Sequence, residues 1–372
     1  MTDKITVAHI APIFSTVPPI GYGGVERVVD ELSYTQLLSG AVSPIVFASS
    51  DSSCAAPHFG LLSSLRSQPD KNLDEEYKLI ESHYRWAYGY LDAHSVDIIH
   101  LHGPWGVRWL PSQPSRPVVL SIYADTSQPD VQEELSRVPI YVNIVANSER
   151  TRAKAPQIDW SAVILEGIMP HLYPFSARKE DYVCFIGDLT PDKGIETAIL
   201  AARSAGIAIH VVGRRHIKDV SERDMAKYDS YFASSVAPYI DNKTVIYHGE
   251  LGDERLEILS RATALLAPIE WEEPFGRILA ESMACGTPVI AFDKGAAQEV
   301  IAEGVSGFVV TDVTQMVGLI PQCRNLDPVN CRHYVENKLN MARVANEYGE
   351  LYRRLVRDNP HSDYAQDRGD RR

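Results

Sequence analysis

Two glutamates stand eight positions apart in the segment WEEPFGRILAESMACGTPVIAFDKGAAQEVI, which covers residues 271 to 301. Pro274 suits the beginning of a helix and Gly286 its end, so Glu281 is predicted on a helix and Glu273 just before it. At this spacing two helical acids would lie about 12 Å apart along the axis and about 80° apart around it. That separation is too large for two carboxyls that share one proton. It suits a long ligand with hydroxyl groups at both ends, because carboxylates accept hydrogen bonds from vicinal diols.

The amide end of the same predicted helix falls at Phe275 and Gly276, where backbone N–H groups favour a negative charge. A nucleotide sugar has this layout, since its diphosphate lies between a hexose and a ribose. Considered alone, Glu281 reads as an ordinary solvated acid on a helix surface. The combined pattern of two acids and a helix end favours the ligand.

Three glycines are crowded into PPIGYGGVERVV, residues 18 to 29, between a predicted strand and a predicted helix from about Val25. A dinucleotide fingerprint requires a third glycine where this chain has Glu26, and no Walker Gly-Lys-Ser/Thr follows. Two interpretations stay open from the residues themselves. Either the free N–H groups of the helix face an anion, or the segment is a tight glycine turn without a ligand.

Composition limits the class of protein. The chain has 372 residues, 45% of them hydrophobic and 23% charged, and a net charge of -13, which argues against a general nucleic-acid surface. Its five cysteines include no C-x-x-C pair, which predicts free thiols, a reducing compartment and no zinc site. We find no signal-like or membrane-spanning segment and expect a cytoplasmic protein, with peripheral membrane contact left open.

Short apolar runs alternate with helical patterns along the chain, which predicts parallel sheets covered by helices on both faces. The first series of predicted strands comprises ITVAHIAPIF, SPIVFAS, VDIIHLHG, RPVVLSIYA and YVNIVANS, and the second DYVCFIGDL, IAIHVVGR, KTVIYHGEL, TALLAPIEW and TPVIAFD. Between them, residues 168 to 181 lack periodicity and are rich in proline and charge. The fold class predicted is therefore α/β, with two doubly wound, Rossmann-like domains facing across a cleft.

Several motifs together resemble the retaining GT-B glycosyltransferases of family 4. They are YGGVERVV, IIHLHG at 98 to 103, FIGDLTPDKGIETAI at 185 to 199, VIYHGEL at 245 to 251, the E-x7-E segment and AAQEVIAEGVSGFVV at 296 to 310. The resemblance extends over most of the chain. It implies an acceptor-binding domain over 1–172 and a nucleotide-sugar domain over 173–335. A helix over 336–357 would pack back toward the N-terminal domain, and a polar tail over 358–372 is predicted to be disordered.

The resemblance also assigns roles to residues. It implies that Glu273 contacts the donor sugar beside the amides of Phe275 and Gly276, and that Glu281 binds the ribose. Lys193 would neutralise the diphosphate leaving group. Gly23 and Gly24 would let the N-terminal domain close against the phosphate and the reacting centre. His102 would contact the donor sugar, with a structural histidine at the strand end as the alternative, whereas His100 is expected on the opposite face and structural.

One position departs from the family pattern. Many members have an arginine where this chain has Asp188, and that arginine joins the lysine in binding the diphosphate. Either another residue replaces it or activity is weakened by the acid. Arg214, Arg215 and Arg277 are the candidates, and Arg214 is preferred because it follows the strand IAIHVVG at its ligand-binding end.

The function implied is transfer of a hexosyl group from a nucleoside diphosphate sugar to a hydroxyl acceptor, with retention at the anomeric carbon. UDP-sugar is the expected donor, no cofactor is expected, and no metal is expected because the chain has no D-x-D triplet. The acceptor, whether glycan, lipid-linked sugar or small molecule, is undetermined. Trp105 and Trp109 either stack on it or simply pack. The alternatives are a nucleotide-sugar-binding protein with weak or no activity, and a sugar-nucleotide epimerase or phosphorylase on the same fold.

Overall fold

The computed structural model describes residues 4–21, 23–68, 71–112, 114–215 and 222–359. Tyr22 of the glycine segment and the part of the predicted tail beyond residue 359 lie outside the described residues. The chain divides into two compact units, one of Met1–Glu166 with Met341–Arg372 and one of Gly167–Asn340. It thus passes between the units at 166/167 and again at 340/341, six residues before and five after the domain limits expected at 172/173 and 335/336.

The N-terminal unit contains a parallel sheet of seven strands in the order β3-β2-β1-β4-β5-β6-β7. The strands are β1 (Ile5–Ile10), β2 (Val42–Phe47), β3 (His58–Phe59), β4 (Ile98–His102), β5 (Val118–Ile122), β6 (Val142–Ala146) and β7 (Trp160–Val163). All five residues of β4 are buried, as expected for a central parallel strand with both faces covered. The helices are α1 (Gly24–Ser39), α2 (Leu73–Asp92), α3 (Pro129–Ser136), α4 (Glu149–Lys154) and, from the end of the chain, α12 (Met341–Asp358).

The C-terminal unit contains a parallel sheet of six strands in the order β10-β9-β8-β11-β12-β13. The strands are β8 (Tyr182–Ile186), β9 (Ala208–Val212), β10 (Val245–Tyr247), β11 (Ala264–Ala267), β12 (Val289–Phe292) and β13 (Gly307–Val310). The helices are α5 (Ile195–Ser204), α6 (Glu222–Tyr231), α7 (Arg255–Arg261), α8 (Arg277–Ala284), α9 (Ala297–Val300), α10 (Val313–Leu319) and α11 (Pro328–Lys338).

Both strand orders are those of a doubly wound sheet, which confirms the prediction of two doubly wound α/β domains. The order reverses between β1 and β4 in one unit and between β8 and β11 in the other. Ligands of such sheets bind beside the carboxyl ends of the strands at this reversal point.

The prediction of one continuous helix over 336–357 is wrong, because the structure divides this region between α11 and α12. Between them the backbone N–H of Ile168 donates to the carbonyl of Leu339, and Ile168 pairs with Asn340 in an isolated bridge. Extended pairing of this kind is incompatible with a continuous helix at these positions. Among the described residues, every helix is too short or too polar to span a lipid bilayer.

Candidate functional site

The reversal point of the C-terminal sheet carries the loops that follow β8 and β11. The first loop contains a short helical turn, Pro191–Lys193, and then Gly194 at a φ of 77°. A Cβ on Gly194 would lie 2.0 Å from the carbonyl oxygen of Pro268, and the N–H of Glu270 donates to the carbonyl of Asp192. The absence of a side chain at Gly194 therefore lets this loop lie directly against the end of β11.

Lys193 and Glu273 meet at this point. The Nζ of Lys193 donates to Oε2 of Glu273 at 2.8 Å, and each side chain keeps 21% of its surface exposed. The same ammonium lies 4.7 Å from the ring centre of Trp271, a cation–π distance. Sequence reasoning missed Trp271, although it begins the E-x7-E segment. The lysine predicted for the diphosphate and the acid predicted for the sugar are thus one partly exposed ion pair.

The loop that holds Glu273 is fixed by the loop after β12. The N–H of Gly295 donates to the carboxylate of Glu272, and the N–H of Ala296 donates to the carbonyl of Glu273. Gly295 has a φ of 52°, and a Cβ there would lie 2.0 Å from the Glu273 carbonyl oxygen. Glu273 is therefore a backbone-anchored residue and not part of a loose surface loop.

The amide end of α8 lies next to this loop. Gly276 precedes the first helical residue with a φ of 81°, and a Cβ on it would lie 3.4 Å from Cγ of Glu273. Phe275 is buried beside it. The helix begins within a residue or two of the predicted place, so its N-terminal N–H groups and the Glu273 carboxylate share one small region.

Glu281 lies within α8 and is buried. Its Oε2 accepts from Nη1 of Arg255 at 2.8 Å, and its Oε1 accepts from the hydroxyl of Tyr173 at 3.2 Å. Burial by itself lowers the pKa of Arg255, but the Glu281 carboxylate beside it outweighs burial and raises that pKa. The alternative of a solvated helix acid is therefore wrong. Arg255 and Tyr173 had not been predicted and carry no recognisable spacing signal.

Asp188 and Arg214 form a bidentate ion pair where β8 and β9 end. Nε and Nη2 of Arg214 donate to Oδ1 and Oδ2 of Asp188 at 2.7 and 2.8 Å. The other two candidate arginines lie elsewhere. Arg215 pairs with Asp229 and lies over the Phe232 ring, and Arg277 contacts the carbonyl of Gly167. Of the three, Arg214 is the one that donates two hydrogen bonds to Asp188.

In the N-terminal unit the glycine segment leads into α1. Gly23 precedes the helix, and a Cβ on it would lie 2.5 Å from Cβ of Pro19. Gly24 is the first helical residue, and a Cβ on it would meet no described atom within 4 Å. Gly23 is thus required by local packing, whereas the described residues leave room for a side chain at Gly24.

His102 ends β4 in the interior of the N-terminal unit with no exposed surface. Its Nε2 lies 3.0 Å from Nδ1 of His9, its Nδ1 lies 3.0 Å from the Tyr123 hydroxyl, and Nε2 of His9 lies 2.8 Å from Oε1 of Gln36. Because the Gln36 oxygen accepts, His9 donates through Nε2, His102 donates to His9, and Tyr123 donates to His102. These neighbours match the structural alternative, and a sugar contact by this ring stays a prediction.

The prediction that His100 points to the face of the sheet opposite His102 is wrong. The ring centres of His100 and His102 lie 4.1 Å apart, because residues i and i+2 of a strand point to the same face. His100 is structural in its contacts: its Nδ1 lies 2.7 Å from the hydroxyl of Tyr352 and its Nε2 lies 2.7 Å from Oγ of Ser121. Through Tyr352 it ties β4 to α12.

The three histidines deserve comparison with a metal site, since one ring nitrogen from each of His9, His100 and His102 lies within 4.8 Å of the others. All six ring nitrogens have protein partners within hydrogen-bond distance. Burial lowers the pKa of His9 to about 4 and holds the pKa values of the other two well below the usual range. The cluster is a neutral hydrogen-bonded network in the core.

Trp105 and Trp109, the two tryptophans considered for stacking on the acceptor, both pack against neighbours. Trp105 contacts Phe14 edge-on at a ring-centre distance of 5.0 Å, and Trp109 stacks on Tyr84 at 5.8 Å. Both are half-buried. Packing therefore accounts for their position, and stacking on an acceptor is not needed to explain them.

Residues 174–320 match the family model described as Glycosyl transferases group 1. Over 322 residues the chain is 23% identical to the putative glycosyltransferase YtcC of Bacillus subtilis, covering 75% of this chain and 78% of YtcC. It spans under half the length of several other curated relatives that it matches, between 46% and 48%.

Among solved structures, sucrose-phosphate synthase from Thermosynechococcus elongatus superposes with a TM-score of 0.74 at 19% identity, covering 95% of this chain and 99% of that one. HepE from Anabaena, in complex with UDP and glucose, gives a TM-score of 0.68 at 18% identity, covering 94% and 100%. The C-terminal unit therefore carries a Glycosyl transferases group 1 domain, and the chain has the fold of the GT-B glycosyltransferases.

Proposed function

We propose that this protein is a retaining glycosyltransferase that moves a hexosyl group from a nucleoside diphosphate sugar, with UDP as the nucleotide, to a hydroxyl acceptor. The observation that carries it is the Lys193–Glu273 pair, held at the reversal point of the C-terminal sheet inside the matched range 174–320. A cation and an acid at such a point suit a ligand that combines phosphate with hydroxyl groups.

The donor would lie along the residues of the C-terminal unit. Lys193 would take the diphosphate together with Arg214, the amides at Phe275 and Gly276 would face its negative charge, and Glu273 would accept from the sugar hydroxyls. For this, the ammonium must exchange the Glu273 carboxylate for phosphate oxygens. Both side chains keep some exposed surface, so the exchange needs no unfolding of the loop.

Glu281 would bind the ribose hydroxyls through lone pairs beyond those used by Arg255 and Tyr173. The ion pair with Arg255 fixes the position of the carboxylate on α8. From the N-terminal unit, Gly23 and Gly24 would present backbone N–H groups to phosphate, and His102 would contact the sugar. The acceptor, a glycan, lipid-linked sugar or small molecule, would be bound by the N-terminal unit.

Transfer with retention would proceed by departure of the diphosphate from the anomeric carbon while the acceptor oxygen approaches the same face. The C–O bond to phosphate breaks, the C–O bond to the acceptor forms, and the acceptor proton passes to the departing phosphate oxygen. The protein's contribution is to stabilise negative charge on the leaving group and to orient the acceptor. Lys193 supplies that positive charge, so transfer is proposed to need no metal.

UDP as the nucleotide is supported by HepE, a structural neighbour determined with UDP and glucose. The binding-only and epimerase alternatives gain no support from the relatives, which include other glycosyltransferases by name. The test is a thermal-shift screen of UDP-, GDP- and ADP-sugars, followed by NMR of the product formed with a panel of sugar acceptors in EDTA. Product with the anomeric configuration of the donor is expected. Inverted product, or transfer that EDTA abolishes and manganese restores, would contradict the mechanism.

A further inference from the structure

We infer that Asp188 is a positioning residue for donor binding, which holds Arg214 as the second cation for the diphosphate. This inference rests on the proposed function and deepens it. An acid where a cation is expected would ordinarily repel the ligand. Here the acid is hydrogen-bonded to Arg214, and this arginine supplies the expected positive charge from just after the neighbouring strand β9.

Backbone pairing places the two side chains together. In the register of β8 and β9, Ile186 lies opposite Val212, and the N–H of Leu189 donates to the carbonyl of Arg214 at 3.0 Å. A Cβ on Gly213 would lie 1.7 Å from the carbonyl oxygen of Gly187, so the strand ends approach as closely as glycine permits. Asp188 and Arg214 each follow their strand by two residues and therefore face each other.

The contact between them is directional. Both carboxylate oxygens of Asp188 accept from one edge of the Arg214 guanidinium, at 2.7 and 2.8 Å. The Arg214 side chain is only 11% exposed and that of Asp188 only 15%. A bidentate pair fixes the plane of the guanidinium as well as its position. The carboxylate charge is compensated at contact distance, so Asp188 acts on a bound diphosphate through Arg214 more than by direct repulsion.

Asp188 and Arg214 lie at the carboxyl end of the C-terminal sheet, where ligands of doubly wound sheets bind. Asp188 lies in the loop after β8 that also holds Lys193, and β8 borders the reversal point. With Arg214 fixed by Asp188, two cations would face the diphosphate, one from each of two adjacent loops. The expected arginine is thus moved from the β8 end to the β9 end, with the acid in its former place.

Asp188→Asn distinguishes positioning of Arg214 from repulsion of the diphosphate, because the two roles predict opposite changes in diphosphate affinity. The probe is UDP, GDP or ADP, whichever the unmodified protein binds most tightly by calorimetry, compared with the corresponding nucleoside. Positioning predicts that Asp188→Asn weakens diphosphate binding about tenfold or more and leaves nucleoside binding unchanged, as expected for a lost charge-assisted contact. Repulsion predicts tighter diphosphate binding, and that result, or no change, would overturn the inference.

The swapped variant D188R/R214D gives an independent test that keeps the ion pair. It should recover diphosphate affinity to within about threefold of the unmodified protein and bind at least about tenfold more tightly than R214D alone. Recovery shows that an arginine of this pair supplies the second cation even if Asp188→Asn does not fold, and a swapped variant that folds yet binds no better than R214D overturns the inference. Arg215→Ala is the matched control, since Arg215 pairs with Asp229 at the surface, and should bind normally.

The outcomes also distinguish this inference from the proposed function. If the unmodified, folded protein binds none of the three diphosphates, the proposed function itself fails. If it binds one of them and Asp188→Asn and Arg214→Lys bind equally well, the positioning role fails and the rest of the donor site stands.

Discussion

The ammonium of Lys193 lies 2.8 Å from the Glu273 carboxylate and 4.7 Å from the ring centre of Trp271. Two groups proposed to bind different parts of one donor are therefore in contact before the donor arrives. Donor binding is an exchange of partners at Lys193, and the variants of this pair should show it.

Glu273→Gln should separate binding from transfer. Removing the acid takes one compensating charge away from Lys193, so UDP should bind equally tightly or more tightly, while kcat falls by about 10²-fold or more as the sugar contact is lost. Calorimetry with UDP and initial rates of transfer measure both effects. The control is Glu270→Gln, an exposed acid in the same loop. Equal losses of UDP affinity and kcat would contradict the exchange.

Lys193→Met should lower both quantities. It keeps much of the apolar stem but removes the charge proposed for the diphosphate, so UDP affinity should fall about tenfold or more and kcat by about 10²- to 10³-fold. Lys243→Met, at an exposed loop position, is the matched control and should change neither. Transfer at the unmodified rate by the Lys193 variant would remove this residue from the mechanism.

Glu281 combines a structural and a proposed functional role, and a double variant can divide them. Glu281→Gln leaves Arg255 largely buried without its charged partner and should destabilise the C-terminal unit by about 2 to 4 kcal/mol. Adding Arg255→Met should restore most of that stability, measured by urea unfolding, because no lone charge remains. Affinity for UDP should stay reduced in the double variant. Full recovery of UDP binding together with stability would show that Glu281 acts only structurally.

Gly24 tests whether a ligand approaches the glycine segment. Because a Cβ at Gly24 meets no described atom within 4 Å, Gly24→Ala should leave the free energy of unfolding nearly unchanged or slightly raised. A phosphate close to this backbone would clash with the new methyl group, and kcat/KM should then fall. Gly23→Ala is the contrast, since its methyl group would meet Pro19 and cost stability. Normal kcat/KM in a folded Gly24 variant would indicate a glycine turn without a ligand.

The buried histidines predict how stability depends on pH. Burial lowers the pKa of His9 and His83 to about 4, whereas an unfolded histidine titrates near 6.5. Between these values only the unfolded state binds the proton, so stability is lost as pH falls from about 6.5 to about 4, by about 3 kcal/mol for each group. Urea unfolding across this range measures it. His83→Gln should weaken the dependence of stability on pH, whereas substitution of the exposed His171 by Gln should leave it unchanged. Equal slopes of stability against pH for the two variants would contradict the role given to the buried histidines.

The sequence predicted most of the strands and helices whose signal is the periodicity of apolar residues or the presence of proline and glycine. Continuous apolar runs located the central strands, and Pro274 with Gly286 located α8 closely. The short strands β3, β7 and β13 were missed because their apolar runs are brief. The break at Leu339–Asn340 was missed because it depends on pairing with Ile168, which is distant in sequence.

The sequence named several residues of the candidate site, but it predicted neither Trp271, Arg255 and Tyr173 nor the contacts between the site residues. Sequence motifs identified Lys193, Glu273, Glu281 and Arg214, but no spacing rule states that Lys193 contacts Glu273 or that Asp188 holds Arg214. Such pairs form between residues 26 to 80 positions apart and depend on strand register and loop approach. The predicted face of His100 is wrong because residues two apart on a strand, such as His100 and His102, point to the same face of the sheet.

The most direct test of the central claim is calorimetric titration of the full chain with UDP in the presence of EDTA, for the unmodified protein and for Lys193→Met. Binding by the unmodified protein, weakened about tenfold or more by the substitution, is the predicted result. Identical affinities for the two folded proteins, or binding that disappears in EDTA, would contradict a diphosphate held by this lysine.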